Sequence, residues 1–244
     1  MNLNEGQTTN KRKNVLFSFK LFPYDFVKWT GAIPTLIALR PKAYYLNKTS
    51  RKTIKGANII ISNHESFLDP INIHLALWYR RLHILATQEL FSTPKSEKFF
   101  TMMQCIPVNK QNFNYSTFKQ VEYWLDRNSI VAIFPEGTVN ENKDLTNTFH
   151  PGAVLMALKC KVPIIPIYIK RREHWYERLR YVIGEPIYLR DYIKGVPKID
   201  DFIRLADMLH DKEVELKAFL DRKLQKKEKK ICFQNTRTSK RISK

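Results

Sequence analysis

Apolar residues along this chain keep two rhythms. Compact, β-branched-rich runs at 57–62, 82–86, 130–133, 162–167 and 181–187 read as strands. Between them, apolar residues at helical spacing predict helices over 70–80, 95–103, 116–125 and 152–158. Leu205, Leu209, Leu216, Phe219, Leu220 and Leu224 predict a long C-terminal helix. Alternation of this kind implies an α/β fold, a layered mixed sheet flanked by helices. Pro163 and Pro166 punctuate their run and are expected at edge or bulge positions.

A second apolar pattern precedes the first strand. Phe22, Phe26, Trp29, Ile33, Leu36 and Ile37 recur at steps of three or four, giving a helical stripe. Pro23 suits a helix start and Pro34 should interrupt a helix, so two short helices meeting near 31–34 are expected. With Lys20, Lys28 and Arg40 close by, this two-helix element reads as interfacial, lying among lipid headgroups. No uninterrupted run approaches the roughly 18–20 apolar residues that span a bilayer. A secretory signal fits poorly, because Lys20 and Asp25 interrupt the apolar stretch and no small-residue cleavage site follows.

Composition narrows the partners. With 244 residues and 43% hydrophobic content, the chain can build one domain with a sizeable core plus appendages. Its net charge of +19 calls for an anionic partner. No zinc-finger spacing, RNA-recognition signature or basic zipper points to nucleic acid. Cys105, Cys160 and Cys232 are odd in number and dispersed, which fits a reducing compartment. Histidines and cysteines lack metal-ligand spacing, and no metal or cofactor is implied.

Chemistry concentrates in two places. Asn63-His64-Glu65-Ser66-Phe67-Leu68-Asp69 follows the first of the strand runs. On one continuous helix, His64 and Asp69 would sit about 140° apart, so they cooperate only if the chain turns between them. Asp69-Pro70 supplies a helix start, with Asp expected as N-cap and Pro at the first helical position. A neutral His is the usual general base near pH 7, and a carboxylate on its other nitrogen fixes the tautomer. No Gly-x-Ser-x-Gly elbow or cysteine nucleophile signature occurs. The nucleophile is therefore expected to be a substrate hydroxyl attacking an activated acyl carbonyl. Phe134-Pro135-Glu136-Gly137-Thr138 forms the second place, a strand-to-turn exit at the end of an α/β strand where ligands bind.

His64 with Asp69, the Phe134–Thr138 block and the 162–167 block resemble three of the four blocks of the glycerolipid acyltransferases, nearest the bacterial 1-acylglycerol-3-phosphate type. The fourth is Gln104-Cys105-Ile106-Pro107-Val108-Asn109-Lys110, where the family usually starts near Gly and ends on Arg. The resemblance covers about residues 57–170 and implies that His64 is the general base and that Asp69 orients it. It implies further that Lys110, Glu136, Gly137 and Thr138 bind the glycerol phosphate. Lys110 keeps a charge but loses the bidentate fork of Arg. Val139 stands where many members carry Arg, with Lys143 or His150 as compensating cations.

The resemblance thus implies acyl transfer from a thioester, acyl-CoA or acyl carrier protein, to the sn-2 hydroxyl of 1-acylglycerol 3-phosphate, making phosphatidate in phospholipid biosynthesis. Another lysophospholipid or amino-lipid acceptor is the alternative within the enzyme class. A non-catalytic basic protein binding anionic lipid or nucleic acid is the alternative outside it. The expected organisation is a disordered basic N-terminus at 1–14, membrane-contacting amphipathic helices at 15–48, the acyltransferase domain at 49–222 and a basic, mobile tail at 223–244. The expected location is peripheral, on the cytoplasmic face of the cell membrane.

Overall fold

The computed structural model describes residues 22–47, 50, 54–109, 114–140, 148–174 and 177–242, with side chains as far as Lys229. Expectations for residues 1–21, including Lys20 and the first part of the 15–48 element, and for Lys110 and Lys143 lie outside the described residues. In order, the elements are α1 (Phe22–Leu39), β1 (Lys42–Tyr45), β2 (Asn58–Ser62), α2 (Asp69–Ala76), β3 (Leu82–Thr87), α3 (Pro94–Met102), β4 (Ile106–Val108), α4 (Tyr115–Leu125), β5 (Ile130–Ile133), α5 (Gly152–Cys160), β6 (Ile164–Ile169), β7 (Arg180–Ile183) and α6 (Ile199–Ile242).

The seven strands form one mixed sheet in the order β1-β7-β6-β2-β5-β3-β4. Strands β6, β2, β5, β3 and β4 run parallel, and β7 is antiparallel to β6 and carries β1 parallel to itself. The central strands β2, β5 and β6 are buried along their whole length, as a sheet covered on both faces requires. Ile59, Ile61 and Val131 face α4, α5 and α6, whereas Ile60, Ala132 and Ile165 face α2 and the inner side of α1. Adjacent β2 and β5 pair Ile61 with Ile133, so the two motif loops leave the sheet side by side. That register brings the two blocks together.

Pro166 departs from expectation, because it lies inside β6, which has neighbours on both sides. Its carbonyl accepts from Gly184 N–H at 2.9 Å, and its ring, which offers no N–H, lies just beyond the end of β7 at Ile183; pairing resumes only as a bridge between Ile164 and Ile187. A Cβ at Gly184 would lie 2.8 Å from Pro166 Cγ. Glycine is needed there for close approach, and the predicted strand over 181–187 ends early for the same reason.

The N-terminal element is one helix, not two. Pro34 sits within α1 without ending it, and the outward carbonyls of an exposed helix can take water where the ring removes a bond. Ala32, Leu36 and Leu39 turn toward the core, while Phe22, Phe26, Trp29, Ile33 and Ile37 stay exposed. A polar latch holds the inner face. The Tyr24 hydroxyl accepts from Leu82 N–H at 3.1 Å and donates to Leu82 C=O at 3.2 Å, on the edge of β3 that β4 has not yet reached. Arg81 Nη2 meets Asp25 Oδ2 at 2.7 Å, and the Lys28 ammonium donates to Arg80 C=O.

Helix α6 packs through Leu205, Leu209, Leu216 and Leu220, then continues through the basic segment as helix to Ile242. Its side chains at 225–229 are polar and, Gln225 to Lys229, mainly solvent-facing.

Tyr24→Phe removes both bonds to Leu82 and leaves buried backbone groups unpaired, which should destabilise the protein by about 1–3 kcal/mol. Urea unfolding measures this, and an unchanged midpoint would mean that the latch contributes nothing.

Candidate active site

Residues 63–68 turn the chain from β2 into α2, and the turn is built around one carboxylate. Asp69 is not the N-cap expected from sequence; Leu68 holds that place, and Asp69 is the first helical residue. Its side chain folds backward instead. Oδ2 accepts from Glu65 N–H at 2.8 Å and Ser66 N–H at 2.7 Å, and Asn72 Nδ2 reaches Oδ1 at 3.3 Å. His64 Nδ1 lies 3.4 Å from the same Oδ2, longer than a full hydrogen bond of about 2.7–3.2 Å. Catalytic contacts are often long before substrate binds. Asp69 is thus fixed by backbone donors, independently of the histidine it faces.

His64 is gripped from the other loop. Its N–H donates to Glu136 Oε1 at 3.2 Å, and its C=O accepts from Asn140 N–H at 2.6 Å. Its ring lies over Phe134 with centroids 4.4 Å apart and planes 26° from parallel. Glu136 is 4% exposed, so it braces the two loops from inside. Gly137 takes φ +69°, a left-handed turn in which a Cβ would press on the His150 ring at 3.1 Å. Thr138 is exposed beside it, and His150 is tied to the loop by its N–H to Pro135 C=O at 2.9 Å.

The structure therefore brings His64, Asp69, Glu136 and Gly137 together, with Thr138 next to them. Asn63 and Asn140 are further participants that motif reading did not single out. Asn63 extends the β2–β6 pairing beyond the strand: Ile169 N–H donates to Oδ1 at 2.8 Å, and Nδ2 donates to Ile169 C=O at 2.9 Å. The same Nδ2 reaches Glu65 Oε1 at 3.0 Å, where the Tyr168 hydroxyl also donates at 3.3 Å. Burial pushes the Glu65 carboxyl above the ordinary carboxylate range, and the Asn63 bond offsets part of that rise.

A cavity of about 700 Å³ opens beside the imidazole. His64, Thr87, Asn109 and His150 are its polar lining, and Ile84, Leu90, Phe100, Ile133 and Met156 are among the apolar side chains lining the remainder. With Nδ1 turned to Asp69, Nε2 is the nitrogen available to the cavity. The arrangement can take a proton from a hydroxyl at the mouth of a space shaped for an alkyl chain. Among the described residues no group of His, Cys, Asp and Glu side chains is placed to hold a metal ion.

Comparisons with known proteins converge on one family. Residues 42–170 match the family described as Acyltransferase. The 1-acyl-sn-glycerol-3-phosphate acyltransferase of Bacillus subtilis is 25% identical over 197 residues, covering 78% of this chain and 96% of the relative. The human 1-acyl-sn-glycerol-3-phosphate acyltransferase beta is 30% identical over 121 residues, covering 48% of this chain and 43% of the relative. Among solved structures, the 1-acyl-sn-glycerophosphate (LPA) acyltransferase of Thermotoga maritima shares the fold, with a TM-score of 0.52 at 18% identity over 81% of this chain and 80% of that one.

Asn63→Leu leaves the Ile169 amide and carbonyl without partners in a buried place, which should cost about 2 kcal/mol or more. Denaturant unfolding checks it, and a loss under about 0.5 kcal/mol would show that the pairing is dispensable.

Proposed function

The chain belongs to the Acyltransferase family, and from that membership we propose that it transfers a fatty acyl group from a thioester to the sn-2 hydroxyl of 1-acylglycerol 3-phosphate, forming phosphatidate. The observation that carries this reading is the His64 ring, set against Asp69 and forming one wall of the apolar cavity. An alkyl chain in that cavity gains about 0.8 kcal/mol per buried CH₂, which is enough to hold the donor while its carbonyl waits near the imidazole.

In this mechanism Nε2 of His64 takes the proton of the acceptor hydroxyl as its oxygen bonds to the thioester carbonyl carbon. Asp69 stabilises the imidazolium that results. The tetrahedral intermediate collapses with cleavage of the C–S bond, and the imidazolium returns the proton to the departing thiolate. Lys110, Gly137 and Thr138 serve the glycerol phosphate, and Glu136 serves it by fixing the loop that carries Gly137 and Thr138. Either acyl-CoA or acyl carrier protein as donor would suit a surface of net charge +19.

We infer a peripheral place on the cytoplasmic face of the membrane. No helix among the described residues is long and apolar enough to cross a membrane. The outer stripe of α1 offers a shallower contact: Phe22, Phe26, Trp29, Ile33 and Ile37 are exposed, and Trp29 meets Trp78 edge-on at 5.7 Å. Phe67 and Leu68 are exposed in the turn that carries His64 toward Asp69, and Ile71 is exposed in the first turn of α2. Such side chains favour the headgroup boundary, where the lysophospholipid acceptor resides.

General-base assistance is worth about 10²- to 10⁴-fold, so His64→Ala should lower acyl transfer by at least about 10²-fold with the fold intact by circular dichroism. A loss below about tenfold would remove His64 from the role of base. Replacing Phe26 and Trp29 by Ser removes two side chains, each contributing about 1.5–3 kcal/mol when buried. Sedimentation with anionic vesicles should show partition weakened more than about tenfold. Unchanged partition would place the membrane contact on another surface.

A further inference from the structure

Two basic segments converge on the C-terminal end of α1. The connection from β6 to β7 begins at Lys170, one residue after Ile169, and carries Arg171, Arg172 and Arg178. Helix α6 brings the second segment. Its Leu216 and Leu220 pack with Tyr168 and Val182, and Phe219, Leu224, Tyr44 and Leu46 gather around that cluster, at the β1 edge of the sheet. From Leu224 the helix runs on to Ile242, about 27 Å further. Residues 225–242 include seven Lys or Arg and one acid, Glu228, and Gln225 to Lys229 are all exposed.

Printed contacts join these segments to each other and to α1. Lys170 Nζ meets Asp221 Oδ1 of α6 at 3.2 Å. Leu179 N–H donates at 3.0 Å to the C=O of Leu39, the last residue of α1, and the Arg178 guanidinium donates to Arg40 C=O. Acids nearby are taken up by neighbours: Asp221 by Lys170, and Glu177, whose carboxylate accepts from Glu173 N–H at 3.1 Å. Arg40, Arg171, Arg178, Lys226, Lys227 and Lys229 are exposed. The apolar outer stripe of α1 ends beside them, at Ile33 and Ile37. The same connection is also tied to the catalytic turn, because Asn63, the residue before His64, holds both backbone groups of Ile169.

We propose, resting on the peripheral membrane reading of α1, that Arg171, Arg178 and the basic C-terminal part of α6 form a surface for anionic phospholipid headgroups. Cations gathered this closely repel one another, and an anionic bilayer relieves that repulsion. Interfacial binding scales with buried apolar area plus attraction to anionic lipid, and here the two meet at one end of one helix. That continuity favours a bilayer over an acidic carrier protein, since a dock that reads charge alone has no use for exposed Ile33 and Ile37 at its border. Headgroups held on this surface also bear on chemistry. Through Ile169 and Asn63 they keep the His64 turn at the membrane, where the lysophospholipid acceptor resides.

The test compares full-length wild type with two combined variants. The neutral one carries Arg171→Gln, Lys226→Gln, Lys227→Gln and Lys229→Gln; the charge-keeping one carries Arg171→Lys, Lys226→Arg, Lys227→Arg and Lys229→Arg. Partition is read by sedimentation with phosphatidylcholine vesicles, alone or mixed with an equal share of phosphatidylglycerol. Each basic residue near an anionic surface contributes about fivefold. The neutral variant should therefore lose at least about 10²-fold on the anionic vesicles and less than about twofold on the neutral ones. The charge-keeping variant should match wild type, and wild-type binding to anionic vesicles should weaken as salt screens the charges. Unchanged partition of the neutral variant, an equal loss on both kinds of vesicle, or a loss in the charge-keeping variant would each overturn the proposal. So would unchanged partition with a lower kcat/KM for acyl carrier protein alone, which would make the surface a carrier dock. Wild type that binds anionic vesicles and ignores neutral ones would sink the apolar contact of α1, and the anionic series would still judge the basic surface.

Discussion

The site depends on how the backbone of His64 is held. Its N–H goes to a side chain of the Phe134–Asn140 loop and its C=O receives an amide from the same loop. A residue tied at both backbone groups cannot swing away, and the stack on Phe134 with Asp69 at Nδ1 then sets its ring direction. This grip requires β2 and β5 to be neighbours in register, since only then do the two loops emerge side by side. The hydrophobic packing that fills both faces of those strands therefore acts on catalysis at one remove. It fixes a register, and the register fixes an imidazole.

Around that grip, polar groups are satisfied by design of the turn. Asp69 takes two backbone amides before it meets the histidine, and Asn63 behaves as an extra peptide unit that prolongs strand pairing to Ile169. Both are buried polar side chains, and each would be destabilising if left unpaired. Pre-organisation of this sort means that little reorganisation is needed when charge develops on the ring. The same loops place Gly137 beneath His150, where a side chain would close the space at the cavity wall.

Much of this was legible in the residues. The strands and helices announced themselves by periodicity, and the demand that His64 and Asp69 lie on opposite sides of a turn followed from helix geometry alone. Other features were hidden because they depend on neighbours distant in sequence. Pro34 looks like a helix breaker, yet α1 runs through it, with Ala32 before it and Leu36 and Leu39 after it packed against the core. Pro166 looks like an edge residue, yet it sits inside the sheet because β7 ends opposite it and Gly184 makes room. Asp69 looks like a cap, yet stronger donors lie behind it. Asn63 and Asn140 carried no periodic signal.

The most direct test of the account is the identity and position of the product. Purified protein would be given 1-acylglycerol 3-phosphate with isotope-labelled acyl-CoA or acyl carrier protein, and the lipid product digested with an sn-2-specific phospholipase. The account predicts labelled phosphatidate whose label is released as free fatty acid by that digestion. Label that stays on the glycerol after digestion, or no phosphatidate from either donor while another lysolipid is acylated, would contradict it.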